Sequence, residues 1–228
     1  MSINTNPGAI LAANAAQQAS AMMDEAMTRL STGKRINSAK DDPGALQVAL
    51  RMEAEINGLA TALKNANDAQ AAIDTGEGAL AEVHTLLLRM RELAVQAQNG
   101  TLQSDDILSL GNEFDALEAE VTRISDNTTW AGIKILDGSG STVTFSFRVG
   151  TSENISHTIP DMDATAIGLS THAVNTNSTI TKVDAMISKV SEERAKLGAV
   201  SNRLDSTVTN LDQIYGRFLT ITQLERSS

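Results

Sequence analysis

The sequence predicts a mainly α-helical protein, a long antiparallel coiled-coil-like helical bundle with a small β-hairpin region. Two observations carry this prediction. Apolar residues recur at alternating steps of three and four over long stretches, and only three prolines interrupt the chain. Strict alternation replaces that period in one short segment, residues 143–149. Apolar residues make up 41% of the chain but aromatic residues only 3%, which suits thin bundles better than a globular enzyme core.

The first predicted helix, residues 10–30, is poor in large apolar side chains. Alanine dominates it, and Met23, Ala26, Met27 and Leu30 share one face. Because an amphipathic helix with so few large apolar side chains is only marginally stable on its own, we expect it to need a partner, either another segment or another subunit.

The end of the first helix, a connector and the start of the second helix follow within a few residues. Gly33 stands where a left-handed residue would end the first helix. Asp41 and Asp42 precede Pro43, and proline is tolerated at the first helical position because its missing N–H would be unpaired there. One of these aspartates is therefore predicted to cap the next helix.

The second predicted helix covers residues 45–98 and has a coiled-coil-like apolar seam. Gly76 and Gly78 are interpreted as a local loosening of this helix, because the companion seam position is expected to shift there. Asn99 and Gly100 are predicted to end it with a left-handed cap. The seam residues are Met52, Ile56, Leu59, Leu63, Ala66, Ile73, Leu80, Val83, Leu87, Met90, Ala94 and Ala97.

The third predicted helix starts at a cap formed by Ser104 or Asp105, with Asp105 and Asp106 at its positive end. A short connector predicts that it packs antiparallel to the second helix. Its apolar residues alternate in steps of three and four without a miss: Ile107, Leu110, Phe114, Leu117, Val121 and Ile124.

The middle of the chain predicts a β-hairpin, with one strand over residues 143–149 and a return strand ending at Pro160. A last helix is predicted from near Thr181 and completes a three-helix core. Its apolar positions are Val183, Met186, Ile187, Val190, Leu197, Val200, Leu204, Leu211, Ile214 and Phe218.

Composition excludes several classes of function. The net charge of −10 argues against non-specific nucleic-acid binding and against attraction to anionic membranes. The absence of cysteine excludes disulfides, thiolate catalysis and cysteine-based metal sites. No apolar run is long enough to span a bilayer, and the N-terminus lacks the features of a Sec signal. If the protein leaves the cell, we expect it to use another route.

Chemistry-bearing motifs are scarce. The three histidines, His84, His157 and His172, do not have metal-ligand spacing, and no H-E-x-x-H motif is present. The carboxylate pairs Asp41/Asp42 and Asp105/Asp106 are better explained as helix caps. We therefore expect no enzymatic activity, catalytic residue, metal or cofactor.

Several strings of the sequence resemble bacterial flagellins. Residues 29–43 read RLSTGKRINSAKDDP, close to the N-terminal signature of that family, and residues 89–96 read RMRELAVQ. Residues 132–138 read GIKILDG, and residues 194–199 read RAKLGA, followed by Asn202-Arg203-Leu204. The order and spacing of these strings make the resemblance specific over nearly the whole chain up to Ile214.

The resemblance implies a structural subunit of the bacterial flagellar filament, exported by the flagellar type III system, polymerised helically with other flagellin subunits and located outside the cell. It implies a rod of the D1 type and four regions. These are a terminal segment with export information (residues 1–42), N-terminal rod helices (43–128), a β-hairpin and loop region (129–180), and a C-terminal rod helix with an atypical tail (181–228).

Two departures from the family pattern accompany the resemblance. The large variable outer domains of many flagellins are missing, as in small flagellins. After Ile214 a flagellin should also continue into a further helix that pairs with the N-terminal one, whereas this chain has an unfamiliar tail. Without that partner, we expect residues 1–42 to be disordered in the monomer.

Arg89, Leu93 and Glu113 admit two interpretations. Arg89 and Glu113 could form a solvated face of two antiparallel helices, paired across them. The resemblance implies instead a subunit contact in the filament that corresponds to the surface recognised by Toll-like receptor 5.

Two alternative functions stay open at this point. One is a hook–filament junction protein, against which residues 130–136 (WAGIKIL) argue. The other is a truncated, non-polymerising flagellin-like module, which the unusual tail keeps open.

Overall fold

The computed structural model describes residues 6–136, 143–150, 153–162 and 174–227, and the side chains up to residue 223. Within this part of the chain, the residues up to Ala60 and those from Asp212 onward form one compact unit. Thr61–Leu211 form the other. His172 and the last two residues of the GIKILDG string, Asp137 and Gly138, lie outside the described residues.

The first unit begins with helix α1, Pro7–Thr32. The side chain of Asn6 caps it by accepting a hydrogen bond from the backbone N–H of Gly8, at 3.1 Å. Gly33 ends it in the left-handed conformation with φ 63°, which confirms the predicted stop. No residue of α1 is buried. The expected disorder of this segment in the free monomer stays a prediction.

The two aspartates before helix α2 (Pro43–Ala97) have different roles. Asp42 caps the helix through its Oδ1, which accepts from Ala45 N–H at 3.0 Å. Asp41 instead closes the connector, because its Oδ2 accepts from the backbone N–H groups of Asn37 and Ser38 at 3.0 and 2.9 Å. These bonds lower the pKa of the Asp41 carboxyl, so the closed connector is favoured above its ordinary pKa and loosened as the pH falls.

The end of α2 differs from the predicted left-handed cap. Gly100 does not have positive φ; among the described glycines only Gly33 and Gly132 do. The chain instead tightens into i→i+3 turns, in which Gln98 N–H donates to Val95 O and Asn99 N–H to Gln96 O. These bonds satisfy carbonyls of the last turn, and no left-handed residue is needed.

Helix α3, Ser104–Asn127, follows the predicted pattern, with Phe114 and Val121 buried. Its cap lies earlier than predicted. Gln103 is the N-cap residue, and its backbone N–H donates to the Asp106 carboxylate at 3.1 Å. Asp106 thus closes the first turn from inside the helix, so neither Ser104 nor Asp105 is needed as the cap.

Helix α4, Asn177–Ser227, starts four residues before the predicted Thr181. The reason is a polar cap: Thr176 Oγ1 accepts from the backbone N–H of Thr179 at 3.2 Å. The run Asn177-Ser178-Thr179 thus forms a first helical turn although it has the composition of a loop. In the first unit the tail continues α4, and Thr222 Oγ1 donates to Met52 Sδ at 3.8 Å.

In the second unit, α2 and α4 run antiparallel. Three polar contacts show this direction. As residue numbers increase along α2, the numbers of the residues that they contact on α4 decrease. Gln70 contacts Ser201, Glu77 contacts Arg194 and Arg91 contacts Asp184, at 2.5, 2.6 and 2.6 Å. Beneath them lies one apolar core shared by α2, α3, α4 and the β region.

The β region consists of two hairpins. Strands β3 (Val143–Arg148) and β4 (Asn154–Ile159) pair antiparallel in the register that joins Val143 to Ile159, which confirms the predicted hairpin. Strands β1 (Thr129–Trp130) and β2 (Ile133–Lys134) were not predicted. Ala131 and Gly132 connect them with φ of 50° and 81°, the two positive values that a tight two-residue hairpin turn requires.

Gly76 is where the β region meets helix α2. The helix is continuous there, as predicted, but the expected shift of the companion seam position is wrong. That position runs every seven residues through Gly76, with Ala62, Ala69, Val83, Met90 and Ala97 also buried. A Cβ on Gly76 would lie only 3.2 Å from Cγ2 of the buried Ile135. Glycine therefore makes room in the seam for a side chain of the β region.

Among the described residues, no helix is both long enough and apolar enough to cross a bilayer.

Gly76 and Gly78 offer a matched test of this packing. Gly78→Ala should raise the free energy of unfolding by about 1 kcal/mol, since nothing lies within 4 Å and alanine favours helix. Gly76→Ala should lose that gain, because its Cβ presses on Ile135 and overpacking costs about 1–3 kcal/mol. Urea unfolding followed by circular dichroism measures both, and equal gains would contradict the packing role of Gly76.

Candidate functional site

Arg89 lies at the centre of the predicted surface patch. Its Nη2 and Nε both donate to Oε1 of Glu113 on α3, at 2.8 and 3.1 Å, and its Nη1 donates to Oε2 of Glu92 at 3.1 Å. These hydrogen bonds raise the pKa of the Arg89 guanidinium; those to Glu113 are the largest cause, and the one to Glu92 is the next. The side chains of Arg89 and Glu113 are 49% and 45% exposed, so this pair joins α2 and α3 while facing solvent.

Leu93, the third residue of the patch, lies below the surface. It is fully buried at 0% exposure and belongs to the core shared by the three helices. Leu86 occupies the same heptad position one repeat earlier and also packs on this core. That repeat is the sequence signal for burial of Leu93. Only Arg89 and Glu113 of the three predicted residues offer polar atoms to a partner.

A second polar site, not predicted from the sequence, ties the β region to α4. Glu193 occupies a seam position of α4 and is 1% exposed. Its Oε1 lies 2.7 Å from Nε2 of His157 on β4, and its Oε2 lies 3.5 Å from Nζ of Lys196. A buried carboxylate is costly unless it is paired, so these partners account for a glutamate in the core. One polar residue at a seam position also fixes register.

The first unit presents two open features. A groove of about 600 Å³ is lined by the end of α1 (Thr32 to Lys34), by α2 (Glu53, Ile56, Asn57) and by the tail of α4 (Leu219, Thr222, Gln223). Helix α1 itself exposes a series of large apolar side chains: Ile10, Leu11, Met22, Met23, Met27 and Leu30. A helix that leaves all of these in water has no packing partner for them among the described residues.

The carboxylates do not assemble into a metal site. Across the described residues, no group of three or more histidine, aspartate or glutamate side chains could hold a metal ion. Asp42 and Asp106 accept backbone N–H groups at helix starts, which is the capping chemistry predicted for one member of each pair, whereas Asp41 closes the connector.

Burial separates the effects of substitutions in the patch. Leu93→Ala should lower the free energy of unfolding by about 2–5 kcal/mol, because it removes a fully buried side chain. Arg89→Ala and Glu113→Ala should change stability little, since both groups are solvated. Chemical denaturation compares the three variants, with Leu93→Met as the volume-conserving control. A loss on Arg89→Ala as large as that on Leu93→Ala would contradict this division.

Family models match both ends of the helical bundle. The bacterial flagellin N-terminal helical region matches residues 3–141, and the bacterial flagellin C-terminal helical region matches residues 180–216. Together these matches cover more than half of the chain. The N-terminal match includes Arg89, Leu93 and Glu113.

Individual proteins give the same result. A flagellin of Halalkalibacterium halodurans is 41% identical over 194 residues, which are 82% of this chain and 71% of that protein. The crystal structure of Bacillus cereus flagellin superposes with a TM-score of 0.57 at 32% identity, covering 65% of this chain and 88% of that one.

A flagellar hook-associated protein of Vibrio parahaemolyticus, so described in its structure, superposes with a TM-score of 0.64. It covers 81% of this chain and 99% of that one, but at 18% identity it shows only a shared fold. The family models and the 41% identical relative decide the family: the chain belongs to the bacterial flagellins.

Proposed function

We propose that this flagellin is a structural subunit of the bacterial flagellar filament and polymerises with other flagellin subunits. The match of both terminal helical regions supports the proposal. The observation that carries it is the exposed apolar face of α1, which has no buried residue in the isolated chain. A helical polymer would supply the partner that the monomer lacks, and burial of that face would stabilise the assembly.

Export and location follow from the same proposal. The subunit would leave the cell through the flagellar type III apparatus, with export information within residues 1–42, and would work outside the cell. The division into a terminal segment, rod helices 43–128, a β region 129–180 and a C-terminal rod helix 181–228 is part of this proposal. The absence of cysteine is compatible with an extracellular location.

The patch around Arg89 would contact a neighbouring subunit in the filament and, in free subunits, Toll-like receptor 5. Its support is geometric: Arg89 and Glu113 form a preorganised, half-exposed charged pair on two helices. A guanidinium held in one orientation loses little side-chain entropy on binding. Leu93 would act as a positioning residue, since it packs beneath the pair and offers no atom to a partner.

The two alternatives make different demands. The fold does not distinguish a hook–filament junction protein from a flagellin, since a structure described as hook-associated has the same fold, but the sequence matches favour a flagellin. A non-polymerising module would have to keep the apolar face of α1 in water. That demand argues for the filament subunit.

Seeded growth tests polymerisation directly. Purified protein added to short flagellar filaments should extend them at regular width, seen by negative-stain electron microscopy and sedimentation. Leu30→Glu should abolish extension, because it places a charge on the apolar face of α1. Gln17→Glu adds the same charge to an exposed position away from that face and should extend normally. Persistent monomer of the unaltered protein would favour the non-polymerising module.

Variants of the charged pair test the patch. Arg89→Ala should weaken both filament extension and stimulation of receptor-bearing reporter cells by about tenfold, the scale of losing one interface arginine. Arg123→Ala is the matched control, since it breaks an exposed ion pair within α3, to Glu120. If both variants behave like the unaltered protein, Arg89 is a solvated residue without a contact role.

A further inference from the structure

We infer that helix α1 carries an oxidation-sensitive switch of assembly: peroxides convert Met22, Met23 and Met27 of the free subunit to sulfoxides, and the oxidised subunit does not polymerise. The inference rests on the proposed function, because it concerns the face that polymerisation would bury. It assigns these three thioethers a regulatory role; Met23 and Met27 lie on that face, and Met22 lies beside it on the same helix.

Exposure separates six of the described methionines into two groups of three. Met22, Met23 and Met27 are between 63% and 65% exposed, whereas Met90, Met162 and Met186 are at most 2% exposed. Met52 lies between them, half-buried, with its sulfur in contact with the Thr222 hydroxyl. Oxidants from solvent reach exposed side chains first, so the chain contains its own protected controls.

The exposed methionines supply most of the large apolar surface of the second half of α1. Met23, Met27 and Leu30 follow one another at steps of four and three and lie on one face. The charged residues Asp24, Glu25 and Arg29 fall outside that face, and Glu25 pairs with Arg29 along the helix. The remainder of the face is mainly alanine, so two thioethers and Leu30 provide nearly all of its bulk.

The chemistry needs only a peroxide. A lone pair of the thioether sulfur attacks one oxygen of hydrogen peroxide, an S–O bond forms and the O–O bond breaks. The second oxygen leaves as water after taking up the proton of the first. Sulfur is oxidised by two electrons to the sulfoxide, and the peroxide is reduced. No group of the protein has to act as acid, base or metal ligand.

Methionine sulfoxide is less favourable to bury than methionine. A sulfoxide is polar and chiral where the thioether was apolar and flexible, and it disrupts methionine-rich interfaces. On α1 it would place strong hydrogen-bond acceptors on a face that polymerisation has to desolvate. The change is reversible, because one reductase acts on each sulfoxide epimer.

The first test maps oxidation in the free subunit. The full chain is treated with dilute hydrogen peroxide, quenched and digested, and each methionine is quantified by mass spectrometry. We expect Met22, Met23 and Met27 to oxidise at least about tenfold faster than Met90, Met162 and Met186, as exposure requires. Equal rates at the two groups would overturn the inference.

The second test connects oxidation to assembly. Untreated protein first has to extend filament seeds; its failure would refute the proposed function and leave the oxidation map standing as a separate result. Peroxide-treated protein should then lose extension, and treatment with both methionine sulfoxide reductases should restore it. Normal extension by fully oxidised protein would refute the switch while leaving the proposed function intact.

A triple variant, Met22→Leu with Met23→Leu and Met27→Leu, separates α1 from the other methionines. Leucine keeps the volume and apolar character of exposed positions, so the variant should fold and extend seeds. It should also keep extending after peroxide treatment. If peroxide still stops its assembly, the sensitive methionine lies elsewhere and the inference fails.

Assembled filaments provide the last test. If the face of α1 is covered by polymerisation, Met23 and Met27 of the filament should oxidise at rates close to those of Met90 and Met186. Oxidation in filaments as fast as in the free subunit would show that the face stays exposed, and it would overturn the inference.

Discussion

The contact between Gly76 and Ile135 is the constraint on which the second unit depends. Gly76 leaves space in the seam of α2. A Cβ there would lie 3.2 Å from Ile135 of the β region and 4.0 Å from Leu197 of α4, so Ile135 is the closer neighbour. On α4, Glu193 breaks the apolar seam and receives His157 of the same β region. An apolar insertion and a buried, hydrogen-bonded glutamate thus fix one register between the β region and the helices.

The two units differ in whether their helices bury their apolar side chains within the chain. In the second, long helices hide their seams within one chain and join their edges by polar contacts such as Glu77 with Arg194. In the first, α1 reaches solvent along its whole length. A helix that buries nothing gains little from folding alone, so its structure and its function both depend on a partner. The second unit is thus packed within itself, whereas the first leaves a helix face uncovered.

At the Arg89 patch, only some of the residues that the flagellin resemblance implies as contacts lie on the surface. The string of residues 89–96 combines a solvated arginine with a fully buried leucine, and these two residues act in different ways. Arg89 and Glu113 present charge in a fixed orientation, whereas Leu93 holds the two helices together beneath them. A functional defect in a Leu93 variant therefore has to be read together with its stability.

The sequence by itself determined the helices, because periodicity and caps are local properties. The seams of α2, α3 and α4, the stop at Gly33, the start at Pro43 and the alternating β-hairpin all followed from neighbouring residues. The hairpin at Thr129–Lys134 did not, since strands of two residues carry no alternation. Only the tertiary structure decided that Gly76 makes room for Ile135 and that Glu193 is buried against His157. Each of these outcomes depends on which distant side chain fills a gap in the core, and neighbouring residues in the chain carry no record of it.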